Sequence, residues 1–457
     1  MKQKKAVALL LLLIFAVSAL GYYQIRKGKA EGPKETPQTE EKLSLNLDIF
    51  DPEEIFDPKT LEMRFATQEE EKSRGVIINV TVVSFHSIDW MGNKWYHRGV
   101  IFQPVGRKSE YAAIVFGGMG DEPESFLEEF GLKAAAEAGI PVFIVTDVPF
   151  MPQFGIKDEE KLLTFSLEKY FETGDVRWPL PYPMAAAYMR AATLLNYLLS
   201  SHPTKFILSG GSKRGWASCI AAAADPRVVA IAPRSFAGFD LEALIDTHLE
   251  VYGELKGSLK SLYTSGLIEK INTSLWDDFV KYYDPINVMK RKDLRVMLLV
   301  GTNDALNPLS IEGTYLEAYP GKLYVAYVPS ASHTSLHSSI EAEIAWRMFL
   351  KHIVLGEPIP EVTSIDTLSS NGKIDFSVKI DDNGAAIDRI ELWYAYSKTK
   401  DFTQVKWNSV MMSENGKIYT ATINSKEGEF VGIFVAVWPT SAGIMGYVTS
   451  SAMILGG

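Results

Sequence analysis

Lys205-Phe206-Ile207-Leu208-Ser209-Gly210-Gly211-Ser212-Lys213-Arg214-Gly215 reads as an apolar strand that breaks into a glycine-rich turn with a serine at its tip. The small residues over 216–224 predict a helix immediately afterwards. A serine on a sharp strand-to-helix turn has its hydroxyl pushed above the sheet, where an imidazole can reach it. The next backbone N–H, here that of Lys213, then points at whatever the hydroxyl attacks. Ser212 is therefore a candidate nucleophile and Lys213 a candidate oxyanion donor.

Outward from this turn, apolar strands at 112–116, 141–146, 228–232, 296–300 and 323–328 alternate with helical stretches at 124–138, 184–199 and 340–353. Continuous apolar strands separated by helices predict a mostly parallel sheet covered on both faces. An antiparallel hairpin, 76–85 with 95–102, opens it. Two inserts, 149–182 and 237–290, follow strands and so belong above the carboxyl edge, where ligands bind. They are expected to form a lid, the second of them helical. After Gly356-Glu357-Pro358-Ile359-Pro360, short alternating runs at 374–380, 387–396, 418–423 and 432–438 predict a small β-sandwich. The expected organisation is a signal anchor or signal peptide at 1–29, a linker at 30–60, an α/β-hydrolase domain at 61–357 and a β-sandwich at 358–457.

Ser212 needs a base and an orienting acid. In α/β-hydrolases these follow in the order serine, acid, histidine. The strand at 295–300 ends in Gly301-Thr302-Asn303-Asp304, and the next ends in Pro329-Ser330-Ala331-Ser332-His333. His333 is the expected general base and Asp304 the acid that orients it. A second oxyanion donor is expected in Phe116-Gly117-Gly118-Met119-Gly120, at Gly118 or Met119. Each motif alone is weak, since glycine–serine turns abound; their order along successive strand ends carries the reading.

His337 is the runner-up base and Asp240 the runner-up acid. His248 with Tyr252, in the second insert, is equally a helix-face pair or a substrate contact. Trp178, with the other aromatic residues of the first insert, is equally a pocket wall or lid packing. Lys213 and Arg214 put positive charge at a helix N-terminus that already favours anions. Binding of a substrate carboxylate competes there with salt bridges to the acidic lid. His86, His97, His202 and His352 are expected to be structural.

A chain of 457 residues with 47% hydrophobic content argues for packed cores and two or three domains. The net charge of −10 argues against nucleic-acid binding. The one cysteine, Cys219, cannot make an internal disulfide, and no zinc-ligand spacing is present. No metal or organic cofactor is expected. Lys2, Lys4 and Lys5 precede an uncharged run over 6–23, and Arg26, Lys27 and Lys29 follow it. That run is long enough to span a bilayer as a helix, and Val17-Ser18-Ala19 also fits a signal-peptidase site. The chain is expected to be anchored in the membrane with its bulk outside the cytoplasm, or secreted after cleavage.

One ordered set of motifs is more specific than any of its parts. It comprises Val148-Pro149-Phe150-Met151-Pro152, Trp178-Pro179-Leu180-Pro181-Tyr182-Pro183-Met184, Ser212-Lys213-Arg214-Gly215-Trp216, His248 with Tyr252-Gly253, Asp284-Pro285, Gly301-Thr302-Asn303-Asp304 and Val328-Pro329-Ser330-Ala331-Ser332-His333. Over roughly residues 75–440 the chain resembles the PhoPQ-activated pathogenicity-related protein family. The resemblance implies an α/β-hydrolase domain, export in many members and a β-rich C-terminal part; it supplies no substrate. The family shares with glucuronoyl-type esterases a bulky residue two positions after the serine, here Arg214, with glycine delayed to Gly215. Where the family has Pro-Asn-Ala-Gly-His, this chain has Pro329-Ser330-Ala331-Ser332-His333. Asp158-Glu159-Glu160 is all it offers of the acidic patch before Trp178.

These observations point to an exported or membrane-anchored serine hydrolase. It would form an acyl-enzyme from a small-molecule or peptide substrate bearing an ester or peptide-like amide. The rival readings are a peptidase of the prolyl-oligopeptidase kind, and an inactive hydrolase fold that serves as a binding module.

Overall fold

Nine strands form the part of the main sheet that carries the site: β1 Arg64–Ser73, β2 Val76–Trp90, β3 Asn93–Pro104, β4 Tyr111–Phe116, β5 Val142–Thr146, β6 Lys205–Gly211, β7 Val228–Arg234, β8 Arg295–Gly301 and β9 Lys322–Val328. The computed structural model describes residues 44–456, apart from residues 121 and 417. The uncharged 6–23 segment lies outside the described residues. Among those residues, no helix is long and apolar enough to cross a membrane.

The strands lie in the order β1-β2-β3-β5-β4-β6-β7-β8-β9. From β5 to β9 neighbours run parallel, while β1, β2 and β3 extend the sheet antiparallel from β5. β4, β5, β6 and β8 are buried along almost their whole length. This is why they read as unbroken apolar runs without alternation. Parallel pairing brings the carboxyl ends of β4, β6, β7, β8 and β9 to one edge. The loops carrying Gly118, Ser212, Ser235, Asp304 and His333 therefore share that edge.

Two helix pairs cover the sheet: Pro181–Leu198 packs on Lys213–Ala224, and Lys133–Ala138 on Ile340–Leu355. The helix expected at 124–138 is interrupted, with a π-helical stretch Leu127–Leu132 between Glu124–Phe126 and Lys133–Ala138. The first insert holds a helix, Glu159–Thr173, and the second holds Leu241–Tyr252, Leu259–Thr264 and Ser274–Tyr283. The inserts are joined where the Tyr170 hydroxyl donates to the Leu275 carbonyl (2.5 Å).

After the Gly356 cap, Glu361–Ser370, Lys373–Asp381, Ile418–Asn424 and Ser413–Asn415 form a four-stranded antiparallel sheet. A second antiparallel layer is built on Ala386–Ser397 and Phe430–Ser441. This layer continues the main sheet: Phe430–Ser441 pairs with Val448–Thr449, and Thr449 pairs with Val325 of β9. The C-terminal strands thus form a sandwich that shares a sheet with the rest of the chain.

Candidate functional site

Ser212 ends β6 and precedes the helix Lys213–Ala224 with φ 57° and ψ −124°. A non-glycine residue holds such a conformation only where its surroundings over-determine it. Here its N–H donates to the Arg234 carbonyl at the end of β7 (2.8 Å), and its carbonyl accepts the Trp216 N–H (3.1 Å). Gly210 makes room for the bulky residue two positions after the serine. A Cβ at Gly210 would lie 2.7 Å from the Arg214 Cβ and 2.3 Å from the Tyr188 hydroxyl. The Ser212 Oγ makes no hydrogen bond to another described residue.

Asp304 and His333 leave the carboxyl ends of β8 and β9. The His333 Nδ1–H lies 2.9 and 3.0 Å from the two carboxylate oxygens of Asp304. Asp304 is 1% exposed, and its carboxylate also accepts the Leu306 N–H and the Asn307 Nδ2–H, each at 2.8 Å. A buried carboxylate so fully engaged has one orientation, which fixes the imidazole and leaves Nε2 as the free ring nitrogen. Ser235, next to the residue that holds the Ser212 N–H, donates its hydroxyl to the His333 carbonyl (2.8 Å). The backbones of Ser212 and His333 are thus anchored at neighbouring residues of one strand end.

Two backbone donors face this edge. The Lys213 N–H belongs to the first helical turn, where no intrahelical acceptor exists. On the loop after β4, the Gly118 N–H donates to the Glu122 carboxylate, while the Met119 N–H makes no hydrogen bond to a described residue. The loop is pinned from behind. Asp147 accepts the Gly120 N–H (3.0 Å) and the Arg98 guanidinium (2.7 Å), and Arg234 donates to the Phe116 carbonyl (3.0 Å).

Residues 57–403 match the PhoPQ-activated pathogenicity-related protein family. The chain belongs to that family. The Autocrine proliferation repressor protein A of Dictyostelium discoideum is 22% identical to it over 357 residues, 73% of this chain and 70% of that one. Among solved structures, the acetyl xylan esterase of Paenibacillus sp. R4 is similar at 15% identity and a TM-score of 0.47, over 65% of this chain and 90% of its own. Acetyl xylan esterase 1 of Thermoanaerobacterium sp. JW/SL YS485 is similar at 15% identity and 0.41, over 60% and 83%. An S-formylglutathione hydrolase of Agrobacterium tumefaciens is similar at 13% identity and 0.40, over 63% and 97%. The chain has the α/β-hydrolase fold of this family, followed by its antiparallel C-terminal region.

A cleft with about 50 Å³ of enclosed space, open to solvent, lies over Ser212. Its walls are mostly apolar: Trp216 and Phe236 from the sheet side, Leu241, Leu244, Leu259 and Leu262 from the second insert. The first insert contributes charge at its rim. The Lys213 ammonium meets Glu160 (2.5 Å) and Glu159 (3.4 Å), and Arg214 meets Glu159 (2.8 Å). Burial raises the Glu159 pKa, but the Arg214 and Lys213 cations outweigh it and hold the carboxyl below its ordinary value. Two cations and two carboxylates cancel, so the site beside Ser212 carries no net charge from these four groups. Ser258 and Ser261 also donate to Glu160 (3.2 and 3.3 Å), which latches both inserts to the helix after the elbow.

The other candidates fall elsewhere. Trp178 packs edge-on against Trp90 and Phe165 and tilted against Phe154, in an aromatic cluster under the first insert. His248 has both ring nitrogens engaged: Nε2–H donates to the Leu306 carbonyl (3.1 Å) and Nδ1 accepts the Lys256 N–H (3.3 Å). It thereby holds the loop after Asp304. Tyr252 stands edge-on to His248, with the Lys256 ammonium 3.8 Å from its ring centroid. Asp240 is spent as the N-cap of the helix Leu241–Tyr252. His337 packs on Gly211, where a Cβ would lie 2.5 Å from its ring. Burial, then the Arg234 charge, hold the His337 imidazole down to about 3, so it is neutral at working pH. Sequence reasoning missed Asn307, which orients Asp304, accepts the Ala237 N–H (2.7 Å) and lines the cleft. Its only signal was its place three residues after the acid.

Proposed function

We propose that this chain is a serine hydrolase that forms an acyl-enzyme on Ser212 and prefers uncharged, apolar acyl groups. One observation carries the reading: a strained, unshared serine hydroxyl at a strand-to-helix turn shares its sheet edge with a histidine whose Nδ1 is committed to a buried carboxylate. The Ser212 Oγ attacks the substrate carbonyl while its proton passes to His333 Nε2. The charge that develops on the carbonyl oxygen meets the N–H groups of Lys213 and Met119. Collapse expels the leaving group with the proton from His333; water then repeats the sequence and frees the acid. Asp304 stays ionised throughout and stabilises the imidazolium. The serine–histidine hydrogen bond forms as substrate fills the cleft, since such bonds tighten in the Michaelis complex.

The apolar cleft walls and the cancelled charges at its rim support the choice of acyl group. The test is active-site labelling with a fluorophosphonate, together with hydrolysis of p-nitrophenyl butyrate. Wild-type protein takes the label and Ser212→Ala does not. Ser212→Ala and His333→Ala each lose roughly 10⁶-fold in kcat, and the double variant is little worse. A folded chain that takes no label and hydrolyses no ester would instead be a binding module. The lysine-flanked run at 6–23 supports a location outside the cytoplasm. Protection of the folded part from protease in intact cells would refute that placement.

A further inference from the structure

The connection between the C-terminal strands Ala386–Ser397 and Asn408–Met411 lies against both loops that carry Asp304 and His333. Asn303, the residue before Asp304, donates its Nδ2–H to the carbonyls of Thr403 (3.1 Å) and Val405 (2.8 Å). Its own N–H donates to the Ala331 carbonyl (2.9 Å), two residues before His333. Its Oδ1 accepts the Thr302 hydroxyl (3.0 Å), and the Thr302 Oγ1 in turn accepts the Ser330 N–H (2.8 Å). Ser330 closes the circuit: its Oγ accepts the Trp407 N–H (3.2 Å).

The connection is itself stiff. The Asp401 carboxylate accepts the Thr403 N–H (2.8 Å) and hydroxyl (2.6 Å). Trp407 is buried between Phe402 and Phe434. The same segment reaches the cleft-lining helix Leu241–Tyr252 through Lys400 and Glu250 (2.6 Å).

We infer that residues 401–407 are a brace that positions the acid and the histidine, with Asn303 as the positioning residue that transmits it. The inference rests on the reading of Asp304 and His333 as a working pair. The physical reason is that the two loops leave separate strands and, among the described residues, are joined by the Asp304–His333 pair itself, by main-chain contacts and by this circuit. A loop that must hold a carboxylate against an imidazole needs an external template, and small misplacements of reacting groups are costly. The C-terminal sandwich supplies one because its sheet is continuous with β9.

The test is Asn303→Ala in the full chain, with Ser330→Ala as the second variant. Asn303→Ala should lower kcat by roughly 10- to 100-fold with KM within about twofold. The low-field Nδ1 proton resonance of His333 should shift or broaden. On an Asp304→Ala background the same change should cost less than about twofold, because its effect runs through that pair. Ser330→Ala should give the same pattern more weakly. Wild-type kcat with an unmoved resonance in both variants, or an undiminished cost on the Asp304→Ala background, overturns the brace. The resonance is read without substrate. A chain whose Ser212 proves idle but whose His333 signal moves on Asn303→Ala keeps the brace and loses the hydrolase reading.

Discussion

Gly301→Ala tests whether the register of the Asp304 and His333 loops sets the rate. Gly301 is the last residue of β8. A Cβ built on it lies 2.3 Å from the Ala331 carbonyl oxygen and 2.9 Å from the carbonyl carbon. That is about 0.7 Å short of the 3.0 Å below which real Cβ contacts essentially never fall. Both atoms struck are backbone, so no side chain can swing aside. The oxygen that is hit is the one that accepts the Asn303 N–H at 2.9 Å, one residue before Asp304. Relief therefore opens the gap between the two loops by the better part of an ångström. A misplacement of about 1 Å between reacting groups costs roughly 10²-fold, so kcat should fall by roughly 30- to 100-fold, about 2 to 3 kcal/mol in barrier.

Overpacking costs about 1–3 kcal/mol of stability, which leaves a folded protein to assay. The measurement is steady-state hydrolysis of a p-nitrophenyl ester with a thermal melt on the same sample. Gly313→Ala is the control, because its nearest neighbour is a serine hydroxyl at 3.7 Å. A folded Gly301→Ala protein with wild-type kcat would refute the argument that this loop spacing limits the chemistry.

The buried imidazole of His97 makes stability fall on acidification. Burial holds it down to about 4 from an ordinary 6.5, so between those values the unfolded chain binds the extra proton. The stability is complete above pH 6.5 and should drop by about 3 kcal/mol as pH falls to 4. Denaturant melts should show this slope, His97→Gln should flatten it, and an unchanged slope would contradict the assignment. Removing one lid carboxylate, as in Glu159→Gln, leaves the Lys213 and Arg214 cations partly uncompensated. It should destabilise by about 3 kcal/mol and raise the preference for a monosuccinyl over a butyryl ester roughly fivefold, the equivalent of about 1 kcal/mol of Coulomb attraction. Unaltered selectivity would mean that rim charge does not choose the acyl group. Met119→Pro removes the proposed second oxyanion donor and should lower kcat by roughly 10²- to 10³-fold. Met119→Ala, whose side chain is 48% exposed, should stay near wild type. A Pro variant that stays active moves the second oxyanion donor elsewhere.

The parallel sheet was legible because β4 to β9 are buried on both faces and so appear in the sequence as unbroken apolar runs between helices. β1 was not: Arg64–Ser73 is an edge strand that carries Glu69, Glu70, Glu71 and Lys72 in a row, Glu70 and Lys72 exposed and the other two half-buried, and charge on an edge hides its pairing. The helix Glu159–Thr173 was also invisible, since its carboxylates and aromatics read as an irregular lid and several of their partners, Lys213, Arg214 and the second insert, lie far along the chain. The seam at Gly356 shows a different limit. The sequence changes character there, but nothing local says that Thr449 returns to pair with Val325. That contact depends on a register set 124 residues away. Within the site, Ser212, Asp304 and His333 each follow a strand and could be picked out by order. Asn303 and Asn307 serve through carbonyl and carboxylate partners that no motif announces.

The charges around Ser212 make sense together. A histidine that becomes an imidazolium during turnover is penalised by every cation nearby. Lys213, Arg214 and the buried Arg234 all stand close to the elbow, at a helix N-terminus already positive in character. Left alone, they would oppose the proton transfer from the serine that the proposed mechanism requires. Glu159 and Glu160 neutralise the first two. The Arg234 guanidinium is held over the Phe126 and Phe130 rings, 4.8 and 4.6 Å from their centroids, with one nitrogen on the Phe116 carbonyl. His337, kept neutral against Gly211, adds no charge. The cationic elbow thus ties down the first insert and the loop after β4, and under the proposed mechanism the positive charge that appears on demand is that of His333, facing the buried carboxylate of Asp304.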